Sequence, residues 1–334
     1  MLRYVIRRLV LLVPILIGLS ILVFVFVRSL PGGPAIALLG ERATQESVEA
    51  IERELGLDKP IHEQYLTYAG NLVTGDLGAS IQTRRPVIDE LKDRFPATIE
   101  LGVAAMLFAI LAGVPLGYFA AKRYQGFFDQ ASLVTSLIGI SFPIFFLALI
   151  LKFVFAVKLG WLPSIGRLDV TRSLAHPTGF YTLDALIAGD FPAFMDAIRH
   201  MILPAIALGT IPLAIVARIT RAATLDVLSE DYVRTARAKG LDPSVVDRRH
   251  IMRNAMLPVV TIVGLQTGLL LTGAILTERV FAWPGLGTMI INAISFRDYA
   301  VLQGGLVFFA LIIVLVNLLV DVSYAFLNPR IRYR

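Results

Sequence analysis

The sequence predicts an all-α polytopic membrane protein with six transmembrane helices, an extracytoplasmic helical segment and a helical cytoplasmic loop. Two observations carry this. Hydrophobic residues make up 56% of the 334 residues, charged residues only 17%, and mean hydropathy is +0.73, whereas a soluble domain carries about 25% charge. The chain also holds six windows free of Asp, Glu, Lys and Arg, at 9–27, 101–121, 130–151, 201–217, 254–277 and 299–320. Each falls within the roughly 17–25 residues that a spanning helix needs.

The first window follows Arg3, Arg7 and Arg8. Its 19 residues exceed the roughly 7–15 of a signal-peptide core, and the cleavage-like Ala35-Ile36-Ala37 lies well beyond it. An uncleaved span is expected. The fourth window is the shortest and contains Pro204, Gly209 and Pro212, so a kink there is allowed. Short connecting segments set orientation. Arg3, Arg7 and Arg8, then Lys122 and Arg123, then Arg330, Arg332 and Arg334 all fall on one side, which places both termini in the cytoplasm. The resulting division is a first helix with its tail (1–30), an extracytoplasmic segment (31–99), a five-helix core (100–327) containing a cytoplasmic loop (218–254), and a C-terminal tail (328–334).

Between the first two windows three helical patterns appear. Val48, Ile51 and Leu55 share a face between Thr44, as cap, and Gly56, as stop. Ile61, Tyr65, Leu66, Tyr68, Ala69 and Leu72 follow at helical spacing, and Gly75-Asp76-Leu77-Gly78 reads as a turn. A third helix begins at Pro86, and Pro96 is expected to end it. This layer either contacts a partner or is a solvated cap. In the next outer segment, Trp161-Leu162-Pro163 and Phe180-Tyr181 suit headgroup-level anchors, and Lys152 is expected to snorkel.

Residues 218–253 hold eight basic and five acidic residues. Ser229-Glu230-Asp231 reads as a helix start, Gly240 as its stop, and Asp242-Pro243 as the start of a second short helix. A DNA-reading helix-turn-helix has this outline. Near charge balance and tethering at both ends to spans argue against it, and for a docking platform for a cytoplasmic protein. No nucleic-acid partner is expected.

Enzymatic chemistry finds little purchase. With 0 Cys and 4 dispersed His, thiolate nucleophiles and closely spaced histidine metal sites are excluded. No Gly-Lys dipeptide, Gly-x-Ser-x-Gly elbow or His-Glu-x-x-His motif is present. The windows contain no ionisable carboxylate or amine, groups that ion-coupled transporters need at depth. A bundle without its own energy source and with a docking segment suggests one subunit of a pump, with no cofactor bound by this chain.

The residues resemble a known family. Leu30-Pro31-Gly32-Gly33-Pro34, Glu54-Leu55-Gly56-Leu57-Asp58-Lys59-Pro60, Gly75-Asp76-Leu77-Gly78 and Arg94-Phe95-Pro96-Ala97-Thr98 are similar to the first part of the permease subunits of dipeptide/oligopeptide ABC importers. Asp231-Tyr232-Val233-Arg234-Thr235-Ala236-Arg237-Ala238-Lys239-Gly240, Arg253 to Pro258, Trp283-Pro284-Gly285-Leu286-Gly287 and Asn328-Pro329-Arg330-Ile331-Arg332 resemble the remainder, in order and over essentially the whole chain. Of the general importer signature (Glu-Ala-Ala, three residues, Gly), only Ala236 and Gly240 fit, as is usual in the peptide branch. Gly33 and Asn328 stand where that branch often has Asp.

The resemblance implies a type I ABC importer fold in the bacterial cytoplasmic membrane. It implies a second homologous permease, two ATP-binding subunits that use ATP and Mg, an extracytoplasmic peptide-binding protein, and surrounding lipid. It assigns ATPase coupling to Arg234, Thr235, Ala236, Arg237, Lys239, Gly240 and Leu241, with the small Ala236 permitting close approach. Ser141, Gln266, Thr267 and Thr272 are either pathway residues or interhelical hydrogen-bond glue. Nickel and glutathione permeases share the architecture, so cargo stays open. A stand-alone secondary transporter fits less well.

Overall fold

The computed structural model describes residues 2–29, 44–54 and 56–327; the side chains of 2–9, 51, 54, 271–272 and 321–327 are outside it. The motifs at 30–34 and 328–332, and the Leu55 position of the first outer pattern, therefore lie outside the described residues. The longer α-helices among the described residues are α1 (Leu2–Ser29), α2 (Gln45–Glu54), α3 (Ile61–Thr74), α4 (Val87–Lys122), α5 (Phe127–Ser141), α6 (Ile144–Leu151), α7 (Tyr181–Ile187), α8 (Phe191–Ser229), α9 (Asp231–Ala238), α10 (Arg253–Val280), α11 (Leu286–Ser295) and α12 (Tyr299–Leu327). Among the described residues, the one β-pairing is an isolated bridge between Ala79 and Pro86.

All six charge-free windows fall on helices. Four are unbroken and long enough to span a bilayer. The third window is a bent pair: α5 ends at Ser141, α6 begins after Pro143, and the two axes differ by 104°. Pro143 drives Phe142 into extended backbone (φ −83°, ψ 129°). Beyond α6, a π-helical stretch runs over Lys152–Lys158. The fifth window bends by 58° between Leu270 and Gly273. The fourth continues through Pro204 and Pro212 as one 39-residue helix.

The chain forms two compact units. The first comprises residues 1–96 and 284–315. Here α1 packs one face, Ser20, Phe24 and Val27, toward α3; Ser20 Oγ meets the Tyr65 hydroxyl at 2.9 Å, and the Phe24 ring meets Tyr65 and Tyr68 at 5.3 and 5.6 Å. Thr44 and Ser47 cap α2 reciprocally, and Gly75 ends α3. Asp298 fastens the unit: its carboxylate accepts from Ser80 Oγ at 2.6 Å and from the Val301 amide at the start of α12.

The second unit comprises residues 97–283 and 316–334. Helix α8 is its centre and lies against α5, α6, α7 and α10. Leu203, Ala207, Leu208, Val216 and Ala217 are all nearly inaccessible. Close approach of α4 to α8 depends on glycine. A Cβ on Gly117 would sit 2.2 Å from the Ala217 carbonyl oxygen, and one on Gly209 would sit 2.5 Å from that of Ala105. Gly113-x-x-x-Gly117 is thus a small-residue contact that lets two backbones meet.

Pro96 does not end its helix. Helix α4 runs through it to Lys122. A proline within a helix forfeits one hydrogen bond, and fixed neighbours offset that loss. Ala97 and Leu101 are fully buried, and the Ala97 carbonyl accepts from Trp283 Nε1 at 2.8 Å.

Candidate functional site: a basic helix on a buried platform

Helix α9 is held on a small platform of its own. Val233 and Ala236, three residues apart on one face, pack with Val246 and Ile251, and Tyr118, Val227 and Leu228 close the cluster. The helix stops in a Schellman-like turn: the Gly240 amide bonds to the Arg237 carbonyl and the Leu241 amide reaches back to that of Ala236. Gly240 sits at φ +71° with nothing within 4 Å of where a Cβ would stand. Its glycine is required by backbone conformation and not by crowding.

The anticipated second helix is not separate. Asp242 caps a single turn, Pro243–Val245, accepting the Ser244 amide at 2.8 Å. The Ser244 hydroxyl and amide hold the Asp242 carboxyl below the usual carboxylate range. The chain then continues through a π-helical stretch, Val246–Met252, directly into α10. Ser229 is no cap either; it is the last residue of α8, its hydroxyl bonded to the Asp226 carbonyl. Lys122 at the end of α4 pairs with Asp247 at 2.7 Å, and Asn254 Nδ2 donates to the Tyr232 hydroxyl at 3.0 Å.

The predicted coupling residues separate by face. Arg234, Thr235, Arg237, Lys239, Gly240 and Leu241 are exposed. Arg234 pairs only loosely with Asp231, at 3.4 Å, and among the described residues Arg237 and Lys239 form no ion pair. Ala236 is buried against its own chain. Its small size serves the platform underneath, because the next layer is Val246 and Ile251 and not an outside surface. What α9 presents outward is therefore a cationic strip with Leu241 at its tip.

The pathway candidates are not joined to one another by hydrogen bonds among the described residues. Ser141 is exposed at the α5–α6 break and its hydroxyl bonds to the Leu137 carbonyl at 2.8 Å. Thr267 spends its hydroxyl on the Val263 carbonyl at 2.9 Å and faces an apolar groove with Met106 and Leu319. Gln266 is buried. The Thr272 side chain lies outside the described residues.

Sequence reading missed a set of buried charges immediately outside the windows. Glu278 is fully buried and accepts from Thr98 Oγ1 at 2.6 Å. Asp129 is clamped by Arg221 through two hydrogen bonds, the second at 2.7 Å. Glu100 pairs with Arg167, both side chains at most 6% exposed, and also accepts the Thr182 amide and hydroxyl. Arg167 further donates to the Gly179 carbonyl and lies 3.8 Å from the Tyr181 ring centroid. Tyr181, expected as a membrane anchor, is thus a cation–π partner, whereas Trp161 is exposed. Lys152 does not merely snorkel; its ammonium donates to the Val280 carbonyl at 2.7 Å. The available signal was position, since residues 100, 129 and 278 each abut a window.

Removing one member of such a pair strands the other. Arg167→Ala should cost about 3–5 kcal/mol and deplete folded protein, while Arg167→Met with Glu100→Gln should recover most of it. Thermal unfolding of the purified variants checks this; an Arg167→Ala protein as stable as the parent contradicts it.

The fold and platform define a class: a multi-pass helical membrane protein that presents an exposed basic helix on a buried platform. The chain belongs to the family of binding-protein-dependent transport system inner membrane components, whose model matches residues 113–333, with the matching N-terminal model over 1–102. It is 48% identical to the dipeptide transport system permease protein DppB of Alkalihalophilus pseudofirmus and 51% identical to the di/tripeptide transport system permease protein DppB of Pseudomonas aeruginosa, each over 100% of both chains. It is 44% identical, again over 100% of both chains, to the glutathione transport system permease protein GsiC of Escherichia coli. A chain of the MetNI methionine ABC transporter in an inward-facing conformation shares the fold, with TM-score 0.50 and 18% identity over 70% of this chain and 93% of that one.

Proposed function

We infer that the chain is a permease subunit of an ATP-driven importer and forms half of a pathway for di- and oligopeptides into the cell. A second, similar permease supplies the other half. Two ATP-binding subunits engage α9 of each permease from the cytoplasm, and an extracytoplasmic binding protein delivers the peptide. ATP and Mg act in the ATPase subunits. The observation that carries the cargo is full-length identity of 48–51% to permeases named for dipeptides, against 43–44% to those named for glutathione. Uptake of a labelled dipeptide by cells whose only peptide importer contains this subunit should exceed background and should be competed by unlabelled dipeptides. Glutathione that competes better than any dipeptide would reassign the cargo to the glutathione branch.

Both termini face the cytoplasm in this reading, supported by Lys122, Arg123 and the basic residues of the two tails. The chain has 0 native cysteines, so single cysteines report cleanly. Cysteine at Glu49 should react with an impermeant maleimide added outside intact cells, and cysteine at Lys239 only after permeabilisation. Reaction of both from one side overturns the topology.

A further inference from the structure

The first compact unit holds a half-open pocket of about 450 Å³, part polar and part apolar, at the end of α1 away from its N-terminus. Arg28, Arg53 and Lys59 line it, against a single carboxylate, Asp76, which already accepts the Gly78 amide at 2.9 Å. Arg28 is fixed: Nε donates to Gln64 Oε1 at 2.9 Å, and the guanidinium lies 3.5 Å from the Phe24 ring centroid. That arrangement leaves the outer nitrogens of the guanidinium fork without an acidic partner among the described residues. Two further donors on the wall have no partner among the described residues. The Tyr68 hydroxyl and Gln303 Nε2 are both withdrawn from solvent and unpartnered. Burial pushes the Tyr68 hydroxyl up to about 12, so it keeps its proton. Unsatisfied donors of this kind are rare in folded proteins and call for an explanation.

These groups share one complement. The Arg28 fork, Arg53 and the Lys59 ammonium line one space that suits a multi-oxygen anion, and side-chain rotation would turn the closed-off phenol and amide into it. The surroundings say which anion. Arg28 is the penultimate residue of α1, directly past the apolar window 9–27. Below it, Leu22, Val25 and Phe26 are exposed, and on α3, which also lines the cavity, Leu66 and Val73 present apolar side chains one heptad apart. An acyl chain laid along α1 would bring its phosphate to the level of Arg28, where headgroups lie. A free anion would not need the apolar approach.

We propose that this cavity binds the phosphate headgroup of an anionic phospholipid in the leaflet opposite the N-terminus, with Arg28, Lys59, Tyr68 and Gln303 as donors. The site rests on α1 spanning the membrane and is independent of the cargo.

The test uses the purified, delipidated importer complex. Phosphatidylglycerol and phosphatidylcholine are titrated separately, and bound lipid is counted by native mass spectrometry alongside melting temperature. One phosphatidylglycerol per permease should be retained in preference to phosphatidylcholine. Its apparent affinity should fall at least tenfold in Arg28→Gln and measurably in Lys59→Gln, an exposed position whose loss leaves the fold intact. Phosphatidylglycerol retention at parental strength in both variants overturns the assignment. So does equal stabilisation by inorganic phosphate, which would make this a free-anion site. Binding of an acidic peptide with no lipid preference would make it a protein-docking site and likewise overturn it. Because the readout is lipid retention, its failure is distinct from failure of the uptake experiment.

Discussion

Arg237→Glu combined with Lys239→Glu should reduce ATP-dependent uptake to background while the permease still inserts and folds. Both side chains point away from the platform and make no ion pair among the described residues, so reversing them disturbs little within the chain. With α9 docked on acidic groups of an ATP-binding subunit, as the proposed function requires, the double reversal would turn attraction into repulsion. Like-charge juxtaposition at an interface costs several kcal/mol, roughly a hundredfold or more in affinity. The ATP-binding subunits should be lost on co-purification, and substrate should no longer stimulate ATP hydrolysis. Parental values for both quantities would move the joint elsewhere. Ala236→Glu is a poorer probe, although the position lies at the centre of the family motif. Its carboxylate would enter the Val233–Val246–Ile251 cluster and dismantle the platform, which would appear as new protease cleavage within 229–254 even without ATPases.

Gly117→Leu should prevent the second unit from forming. Even a methyl at this position would meet the Ala217 carbonyl oxygen at 2.2 Å and Thr220 Cβ at 2.8 Å. Backbone cannot yield as a side-chain tip can, so α4 and α8 must separate. Overpacking in a well-packed core costs about 1–3 kcal/mol for added methylenes, and here the whole α4–α8 seam is displaced. The variant should be degraded or aggregate on extraction, whereas Gly18→Leu, where nothing lies within 4 Å of a Cβ, should behave as the parent. A Gly117→Leu protein eluting as a monodisperse species with parental melting temperature would contradict this packing.

The helices were legible because absence of charge over about 20 residues is a direct statement about solvent. What happens at each proline was not. Pro96 and Pro143 look alike in sequence, yet α4 passes through one and the chain breaks at the other. At Pro96 the following residues are locked by Trp283 and buried neighbours. At Pro143 the flanking Phe142, Phe145 and Phe146 are exposed, and Phe142 stacks on Phe146 across the break instead of continuing the helix. That difference is made by residues distant in sequence.

The candidate site was legible in outline and not in facing. The exposed basic strip matches the motif expected from the family resemblance, but a motif lists residues without saying which side of a helix they occupy. Ala236 looked like part of a contact surface and is a foundation. The buried charges at 100, 129 and 278 escaped because a window that ends at a charge treats it as the start of water. Each of these carboxylates is instead closed off by partners drawn from another segment.

Only Glu230 stands between α8 and α9, and from Pro243 onward the backbone stays helical into α10. A load applied to α9 therefore has almost no slack to take up before it reaches the two helices that pack most extensively in the second unit. The arrangement is that of a crank with two arms set in one bearing. A tilt of the short handle would be passed to both long helices, one straight and one bent. The segment that looks like a loop in the chain's order is a short, mostly helical link between two long helices.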